Sequence, residues 1–133
     1  MIKDLAHVCF TVRDLDAAVA FYCGKLGLRH AFDFVNDEGA RFGVYLHIAG
    51  RSFIELFVGQ PEASTTPVSY RHLCLEVEDV QEAVKELRGK GVDVTDATLG
   101  SDNSWQAWIE DPDGNRIELH SYTAESWQTP HLR

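Results

Sequence analysis

Two histidines begin similar stretches of this chain, "HVCFTVRDLDAAV" at residue 7 and "HLCLEVEDVQEAV" at residue 72. His72 follows His7 by 65 residues, and two glutamates in the tripeptide "IEL", Glu55 and Glu118, lie 63 residues apart. Two neutral imidazoles and two carboxylates form a borderline-hard set of ligands that suits divalent Zn, Ni, Co, Fe or Mn. The four residues therefore predict a metal site whose open positions can polarise a substrate oxygen.

The recurrence of both residue types carries this prediction. A lone histidine on a half-apolar strand is more often a packed core residue, and a lone glutamate in "IEL" is usually solvated. Duplication of both at matched places favours ligand chemistry over two unrelated structural roles.

The segments around these residues predict the same order of elements twice. In the first copy we expect strands at "AHVCFTV", "RHAFDFV", "RFGVYLHIA" and "RSFIELFV", and a helix that Asp14 caps and Gly27 ends. In the second copy we expect strands at "RHLCLEV", "VDVTDAT", "SWQAWIE" and "NRIELHSY", and a helix in "DVQEAVKELRGKG". The sequence thus predicts one α+β domain over 1–133, built from two βαβββ modules in tandem, about 5–58 and 70–122, with a linker at about 59–69 and a tail at 123–133.

Period-two alternation predicts which side chains lie on the sheet face away from the helix. In the first copy these are His7, Cys9 and Thr11 of the first strand and Phe53, Glu55 and Phe57 of the last. In the second copy they are His72, Cys74 and Glu76, followed by Arg116, Glu118 and His120. Each open face should therefore carry one histidine and one glutamate, and the two sheets together should form a cupped cavity that binds metal.

Further side chains on the predicted open faces each have two alternative roles. Pocket lining and simple filling of space both fit Tyr45, His47, Gln106 and Trp108. His120 lies either beside the metal or on the surface near the end of its strand. Cys9 and Cys74 are soft ligands or, as we expect, small buried filler.

Composition limits the partners. The chain has 133 residues, enough for one domain, with 44% hydrophobic and 25% charged residues. Its formal charge of −9 disfavours nucleic acid and anionic membrane surfaces as partners. We expect no transmembrane segment and no signal peptide, and three reduced cysteines. A cytoplasmic protein that binds a small molecule is the resulting expectation.

Residues 2 to about 122 resemble the vicinal oxygen chelate superfamily, which includes glyoxalase I, bleomycin resistance proteins and extradiol dioxygenases. The resemblance rests on the paired βαβββ pattern, "FYCGKLGL", "DPDGNRIEL" and the order His, Glu, His, Glu. It implies one divalent ion in a cup of strands, bound to neighbouring oxygens of a substrate. Glyoxalase I has the closest ligand pattern and implies that His7, Glu55, His72 and Glu118 are the metal ligands. Extradiol dioxygenases and fosfomycin resistance transferases use two histidines and one glutamate, and antibiotic-sequestering members lack the ligands, so Glu55 argues against all three.

The resemblance also implies a reaction and an assembly. The implied activity is that of a metal-dependent lyase or isomerase of the lactoylglutathione lyase type, which abstracts a proton next to a carbonyl. Glu118 is expected to be the main base, with Glu55 returning the proton. Thr11 replaces the basic residue found in glutathione-using members, and "ELFVGQ" lacks their asparagine, so a different substrate is open. An extradiol-type Fe(II) dioxygenase and a non-catalytic binder of an antibiotic or other small ligand are the alternatives. A homodimer is expected, because members of the family pair their modules within one chain or between two.

Overall fold

The computed structural model describes residues 1–60 and 71–132, in two compact units, Met1–Pro67 and Val68–Arg133. The first unit contains strands β1 (His7–Val12), β2 (Arg29–Val35), β3 (Arg41–Ala49) and β4 (Ser52–Val58), and helix α1 (Leu15–Val19), which continues as a π-helical segment (Ala20–Lys25). The sheet order is β1-β4-β3-β2. β1 and β4 are parallel, whereas the other neighbours are antiparallel.

The second unit repeats this plan. It contains β5 (Leu73–Glu76), α2 (Val80–Gly89), β6 (Thr98–Leu99), β7 (Trp105–Glu110), β8 (Arg116–Ser121) and a 3₁₀ turn (Thr129–His131). The sheet order is β5-β8-β7-β6, again with a parallel first pair. The predicted α+β fold of two tandem βαβββ modules is confirmed. The predicted linker falls mostly at 61–69, outside the described residues.

Alternation along the strands builds the core of each unit. Strand side chains that point toward the helix are buried, whereas the intervening ones form the opposite face. The buried apolar residues of the first unit are Phe10, Val12, Leu15, Ala18, Tyr22, Val44, Leu46, Ile54 and Leu56. Those of the second unit are Val80, Val84, Leu87, Ala107, Ile109, Ile117 and Leu119.

Each helix starts at an aspartate that follows the first strand of its unit. Asp14 accepts a hydrogen bond from Ala17 N, and Asp79 accepts one from Glu82 N, both at 3.1 Å. An N-cap carboxylate pairs an otherwise unsatisfied backbone donor and interacts favourably with the helix dipole. The predicted cap at Asp14 is thus confirmed, and its counterpart occupies the same place in the second unit.

We expect Asp79→Ala to lower the free energy of unfolding by about 1 kcal/mol, because it removes the cap of α2. Urea unfolding followed by circular dichroism measures the change. Glu78→Ala is the matched control, because it removes the same charge from the exposed neighbouring position. Equal stability of the two variants would show that the cap contributes nothing.

Three local features differ from the sequence prediction. Helix α1 gives way to the π-helical segment, although Gly27 ends it as expected with a φ of +79°. His72 lies immediately before β5 rather than within it. The predicted strand "VDVTDAT" is wrong except for Thr98, since β6 has only two residues.

Thr95 explains why β6 is short. Its backbone N donates to Trp108 O at 3.1 Å, but Trp108 N donates to the side-chain hydroxyl of Thr95 at 2.9 Å. The hydroxyl therefore replaces a backbone carbonyl in the ladder, and regular pairing is interrupted at that point. No helix within the described residues is long and apolar enough to cross a membrane.

Candidate metal centre

In the first unit, His7 and Glu55 lie on neighbouring strands, the edge strand β1 and the interior strand β4. β1 and β4 run parallel, with Cys9 opposite Glu55, and His7 Nε2 is 3.8 Å from Glu55 Oε1. Tyr45 lies opposite Glu55 on β3, and its Oη is 3.1 Å from His7 Nδ1. When Nδ1–H donates to that hydroxyl, the lone pair of His7 Nε2 is left on the side of Glu55.

In the second unit, His72 and Glu118 form the corresponding pair. His72 Nε2 is 3.2 Å from Glu118 Oε2, and the other carboxylate oxygen, Oε1, is 3.2 Å from His120 Nδ1. Trp108 lies opposite Glu118 and contacts the His72 ring edge-on at 4.9 Å. Glu118 and His120 are 9% and 8% exposed, so a surface position for His120 is excluded.

The distances within each pair suit two ligands of one ion. Ligand atoms bound to a Zn-like ion at tetrahedral or octahedral angles lie about 2.8–3.6 Å apart. The His72–Glu118 distance of 3.2 Å falls inside this range. The His7–Glu55 distance of 3.8 Å needs a shift of only a few tenths of an ångström, on the order of an ordinary side-chain adjustment. The residues of each unit therefore fit a divalent metal.

The two cysteines are not buried filler, which corrects the sequence expectation. Cys9 and Cys74 are exposed residues, and their thiols hydrogen-bond to Glu55 and Glu118 respectively. Thiol, carboxylate and imidazole atoms of Cys74, Glu118 and His120 lie within 4.8 Å of one another. Desolvation and then the charge of Glu118 raise the pKa of the Cys74 thiol to about 12. The raised pKa keeps the thiol of Cys74 protonated at neutral pH in the metal-free protein.

We expect Cys74 to resist alkylation in the metal-free native protein. With a pKa of about 12, roughly one thiol in 10,000 is ionised at pH 8, whereas an ordinary cysteine ionises near pH 8.5. Cys74 should therefore be modified far more slowly in the native protein than in the same chain in denaturant at pH 8. Mass spectrometry after iodoacetamide treatment gives both rates, and equal rates would contradict the raised pKa.

The other predicted pocket residues occupy different parts of the sheets. His47 lies toward the β3–β4 turn, where Arg29 Nη2 donates to its Nδ1 at 2.6 Å and its Nε2 contacts Gly50 O at 2.9 Å. Gln106 lies opposite His120 in the β7–β8 pairing. Tyr45, Trp108 and His120 contact members of the two His–Glu pairs, whereas the structure places His47 with Arg29.

An aromatic layer in the first unit joins Tyr45, Phe53 and Phe57, which the sequence placed on the open face, to Phe32 and Phe34, which sequence reasoning missed. The rings of Phe32 and Phe53 each stack on Tyr45 with centroids 4.8 Å apart, and Phe34 packs against Phe57 at 5.1 Å. The alternation of phenylalanine in "AFDF" was the available signal, because it places both rings on one face of β2. An apolar surface therefore adjoins the His7–Glu55 pair.

The comparisons with known proteins identify relatives along nearly the whole chain. A sequence model described as the Glyoxalase/Bleomycin resistance protein/Dioxygenase superfamily matches residues 4–119. The uncharacterized protein YwkD of Bacillus subtilis is 30% identical, over 90% of this chain and 98% of its own length. The lactoylglutathione lyase of Salmonella typhimurium is 31% identical, over 86% of this chain and 90% of its own.

A solved structure with a different stated role is also similar. TnmS3, an antibiotic binding protein from Streptomyces, is 26% identical and has a TM-score of 0.75. The match covers 92% of this chain and 98% of that protein. Proteins named for catalysis and for ligand binding thus share this fold, and only the residues of the site can separate the two roles.

Proposed function

Because this chain belongs to the glyoxalase/bleomycin resistance protein/dioxygenase superfamily, we propose that it is a metal-dependent lyase or isomerase of the glyoxalase I type. The resemblance inferred from the sequence is confirmed at the level of the superfamily. The proposed reaction moves a proton at a carbon next to a carbonyl of a small molecule. A cytoplasmic location belongs to the same proposal.

One observation carries the proposal: a His–Glu pair recurs at equivalent places in both units, with each glutamate on the interior strand that pairs in parallel with the first strand of its unit. We assign His7, Glu55, His72 and Glu118 as ligands of one divalent ion, Ni, Co, Zn, Mn or Fe. When bound, the ion polarises the substrate carbonyl and raises the acidity of the neighbouring C–H. Four protein ligands, two of them carboxylates, favour this chemistry over the two-histidine, one-carboxylate pattern of Fe(II) oxygenases.

The protein groups then supply proton transfer and orientation. Glu118 and Glu55 are the residues proposed for proton transfer, because a carboxylate beside the activated carbon can take its proton and return it to the adjacent carbon. Tyr45 orients His7 through the 3.1 Å contact between Tyr45 Oη and His7 Nδ1. Trp108 packs against His72 and gives that side of the site an aromatic wall.

The chemistry of the aromatic layer favours a substrate other than a glutathione adduct. Thr11 stands where glutathione-using relatives have a basic residue, and aromatic rings adjoin the first pair. A peptide adduct with two carboxylates needs cationic partners, whereas these rings suit an apolar or aromatic group. We therefore propose a small carbonyl or hydroxy-carbonyl compound, with Tyr45, His47, Gln106, Trp108 and His120 lining its pocket.

Metal analysis combined with isotope exchange tests the proposal. Freshly purified protein should contain or take up about one divalent ion per proposed site. The loaded protein should exchange label between solvent and the carbon next to the carbonyl in candidate α-hydroxy carbonyls and thiol adducts. Oxygen uptake in place of exchange would identify the dioxygenase alternative.

A second candidate function is sequestration of a small ligand without chemistry. The aromatic layer and the antibiotic binding relative favour it. Such a protein should bind its ligand equally well before and after chelation of metal. The same experiment separates the two functions, because an enzyme of the proposed kind needs the ion for exchange.

A further inference from the structure

We propose that His120 holds Glu118 in place as the fixed carboxylate ligand, which leaves Glu55 as the carboxylate that moves to take the substrate proton. The inference rests on the proposed function, because it assigns different parts of the same reaction to two equivalent glutamates. Glu118, the residue expected from the sequence to be the main base, thereby becomes the stationary partner.

The two glutamates have equivalent places but unequal contacts. Glu118 is engaged through both oxygens, with Oε1 3.2 Å from His120 Nδ1 and Oε2 3.2 Å from His72 Nε2. Glu55 is engaged more loosely by its histidine, with Oε1 3.8 Å from His7 Nε2. The hydrogen bond from His120 Nδ1 restrains rotation of the Glu118 carboxylate and leaves Oε2 to bind the ion beside His72 Nε2.

The residue two positions after each glutamate accounts for the difference. It lies on the same sheet face as the glutamate, and it is His120 in β8 but Phe57 in β4. The Phe57 ring packs against Phe34 at 5.1 Å and has no group that can donate to a carboxylate. His120 instead brings a ring N–H to Glu118.

The neighbouring cysteines do not explain the asymmetry. Cys9 hydrogen-bonds to Glu55 and Cys74 hydrogen-bonds to Glu118, so the thiol contact is common to both units. A thiol is also a weaker donor than an imidazole N–H. The imidazole of His120 is therefore the contact that distinguishes Glu118.

The residue opposite each glutamate shows the reverse asymmetry. Tyr45, opposite Glu55, places its hydroxyl 3.1 Å from His7 Nδ1. Trp108, opposite Glu118, contacts His72 only with its ring. In the first unit a side-chain hydrogen bond thus orients the histidine, and in the second it orients the glutamate.

The state of the His120 ring supports a positioning role. A carboxylate only accepts hydrogen bonds, so Nδ1 carries the hydrogen that Glu118 Oε1 receives. His120 Nε2 is buried, and within 1–60 and 71–132 it has no hydrogen-bond partner. Tyr122 packs edge-on against the ring at 4.9 Å. Burial of the unpaired Nε2 is unfavourable. The hydrogen bond from Nδ1 to Glu118 is therefore the polar contact that this position of the ring makes possible.

The proton transfer then balances without another reactant. The C–H bond next to the carbonyl breaks, its proton binds to a carboxylate oxygen of Glu55, and the electron pair moves onto the carbonyl oxygen. In an α-hydroxy carbonyl, return of this proton from Glu55 to the former carbonyl carbon, with transfer of the hydroxyl hydrogen to the other oxygen, completes the isomerisation. Glu118 keeps its hydrogen bond from His120 Nδ1 throughout.

Titration with Ni²⁺ of the 133-residue chain and of its His120 variants tests this assignment. His120→Phe should weaken Ni²⁺ binding by about 10- to 100-fold, the usual effect of losing a partner that orients a ligand. His120→Asn should restore most of the affinity, because its amide nitrogen is as many bonds from the backbone as Nδ1. His120→Gln should not, because its nitrogen corresponds to Nε2. Phe57→Leu is the matched control at the equivalent place in the first unit and should bind Ni²⁺ as wild type does.

A second pair of variants tests the division between the glutamates. Glu118→Gln should weaken Ni²⁺ binding more than Glu55→Gln, because the fixed ligand contributes more to holding the ion than the movable one. Equal losses, or a larger loss for Glu55→Gln, would overturn the assignment of Glu55 as the mobile carboxylate.

The outcomes also separate this inference from the proposed function. If wild type binds Ni²⁺ and His120→Phe binds it equally well, the positioning role assigned to His120 is rejected and the proposed metal site is retained. Rescue by Gln but not by Asn would likewise reject the Nδ1 contact, and this comparison holds even if the Phe variant fails to fold. Absence of Ni²⁺ binding in wild type would reject the metal site itself.

Discussion

Replacing Glu118 by glutamine should leave a folded protein that binds divalent metal far more weakly and turns over no substrate. The loss of affinity should exceed the roughly 100-fold that accompanies loss of an orienting partner, because a proposed ligand itself is removed. A neutral amide oxygen is a much poorer ligand than a carboxylate for the proposed ions. Titration calorimetry and elemental analysis measure the metal, and isotope exchange measures the reaction.

The fold should survive this substitution, for a reason visible around Glu118. The residue is 9% exposed on a central strand, and glutamine has nearly the same volume. The amide oxygen can still accept from His120 Nδ1, so the buried hydrogen bond is kept. A melting temperature close to that of wild type is therefore expected.

Two further variants make the result specific. Glu118→Asp keeps the charge but withdraws the carboxylate by one methylene, so it should retain metal and lose the geometry needed for turnover. Glu110→Gln is the control, because it removes the same charge from an exposed position on the adjacent strand β7. Full activity in Glu118→Gln would exclude this residue as a ligand, and loss of activity in Glu110→Gln would indicate a general effect of charge.

Strand alternation explains why most of the candidate site could be predicted. A period of two fixes which face a side chain occupies, so the placement of Glu55 opposite Cys9 and near His7 follows once β1 and β4 are recognised. The parallel pairing follows from the helix that must connect the first strand to the rest of the sheet. Because the sequence repeats, the same argument then placed Glu118 near His72 in the second unit.

Other features depend on contacts that no periodicity encodes. The interruption before β6 arises from one hydroxyl, Thr95 Oγ1, which takes the place of a backbone carbonyl. In the π-helical segment after α1, backbone N–H groups bond to carbonyls five residues back instead of four. This change does not alter the spacing of apolar residues in the sequence, so the sequence pattern did not reveal it. The bond from His120 to Glu118 is likewise decided by two side-chain rotamers, which explains why the sequence left the position of His120 open.

We expect the oligomeric state to depend on the number of ligands that one His–Glu pair lacks. Each unit supplies one imidazole and one carboxylate, whereas the proposed ion takes four protein ligands. We expect a symmetric homodimer in which the pair of one chain is completed by the pair of the other, giving two equivalent sites. Trp127 is 67% exposed in the single chain and offers apolar surface that a neighbouring chain can cover. Light scattering should give twice the chain mass of 14.9 kDa.

Mixing inactive variants decides whether the sites are shared between chains. His7→Ala and Glu118→Ala should each be inactive alone, because every site then lacks one ligand. In a mixed dimer with shared sites, one site carries both defects and the other carries neither. Random association makes half of the dimers mixed, so about a quarter of the wild-type sites should be restored. Co-expression with two affinity tags isolates the mixed dimer, in which half of the sites should be intact, and activity per chain measures the rescue.

A second pair of variants controls for rescue by any other route. His7→Ala mixed with Glu55→Ala places both changes in the first unit, so each site of the mixed dimer still lacks one ligand and no activity should return. Rescue by the first pair and not by the second would require ligands from different chains in one site. A fully active monomer, or a confirmed mixed dimer of His7→Ala and Glu118→Ala without activity, would instead assign all four ligands to a single chain.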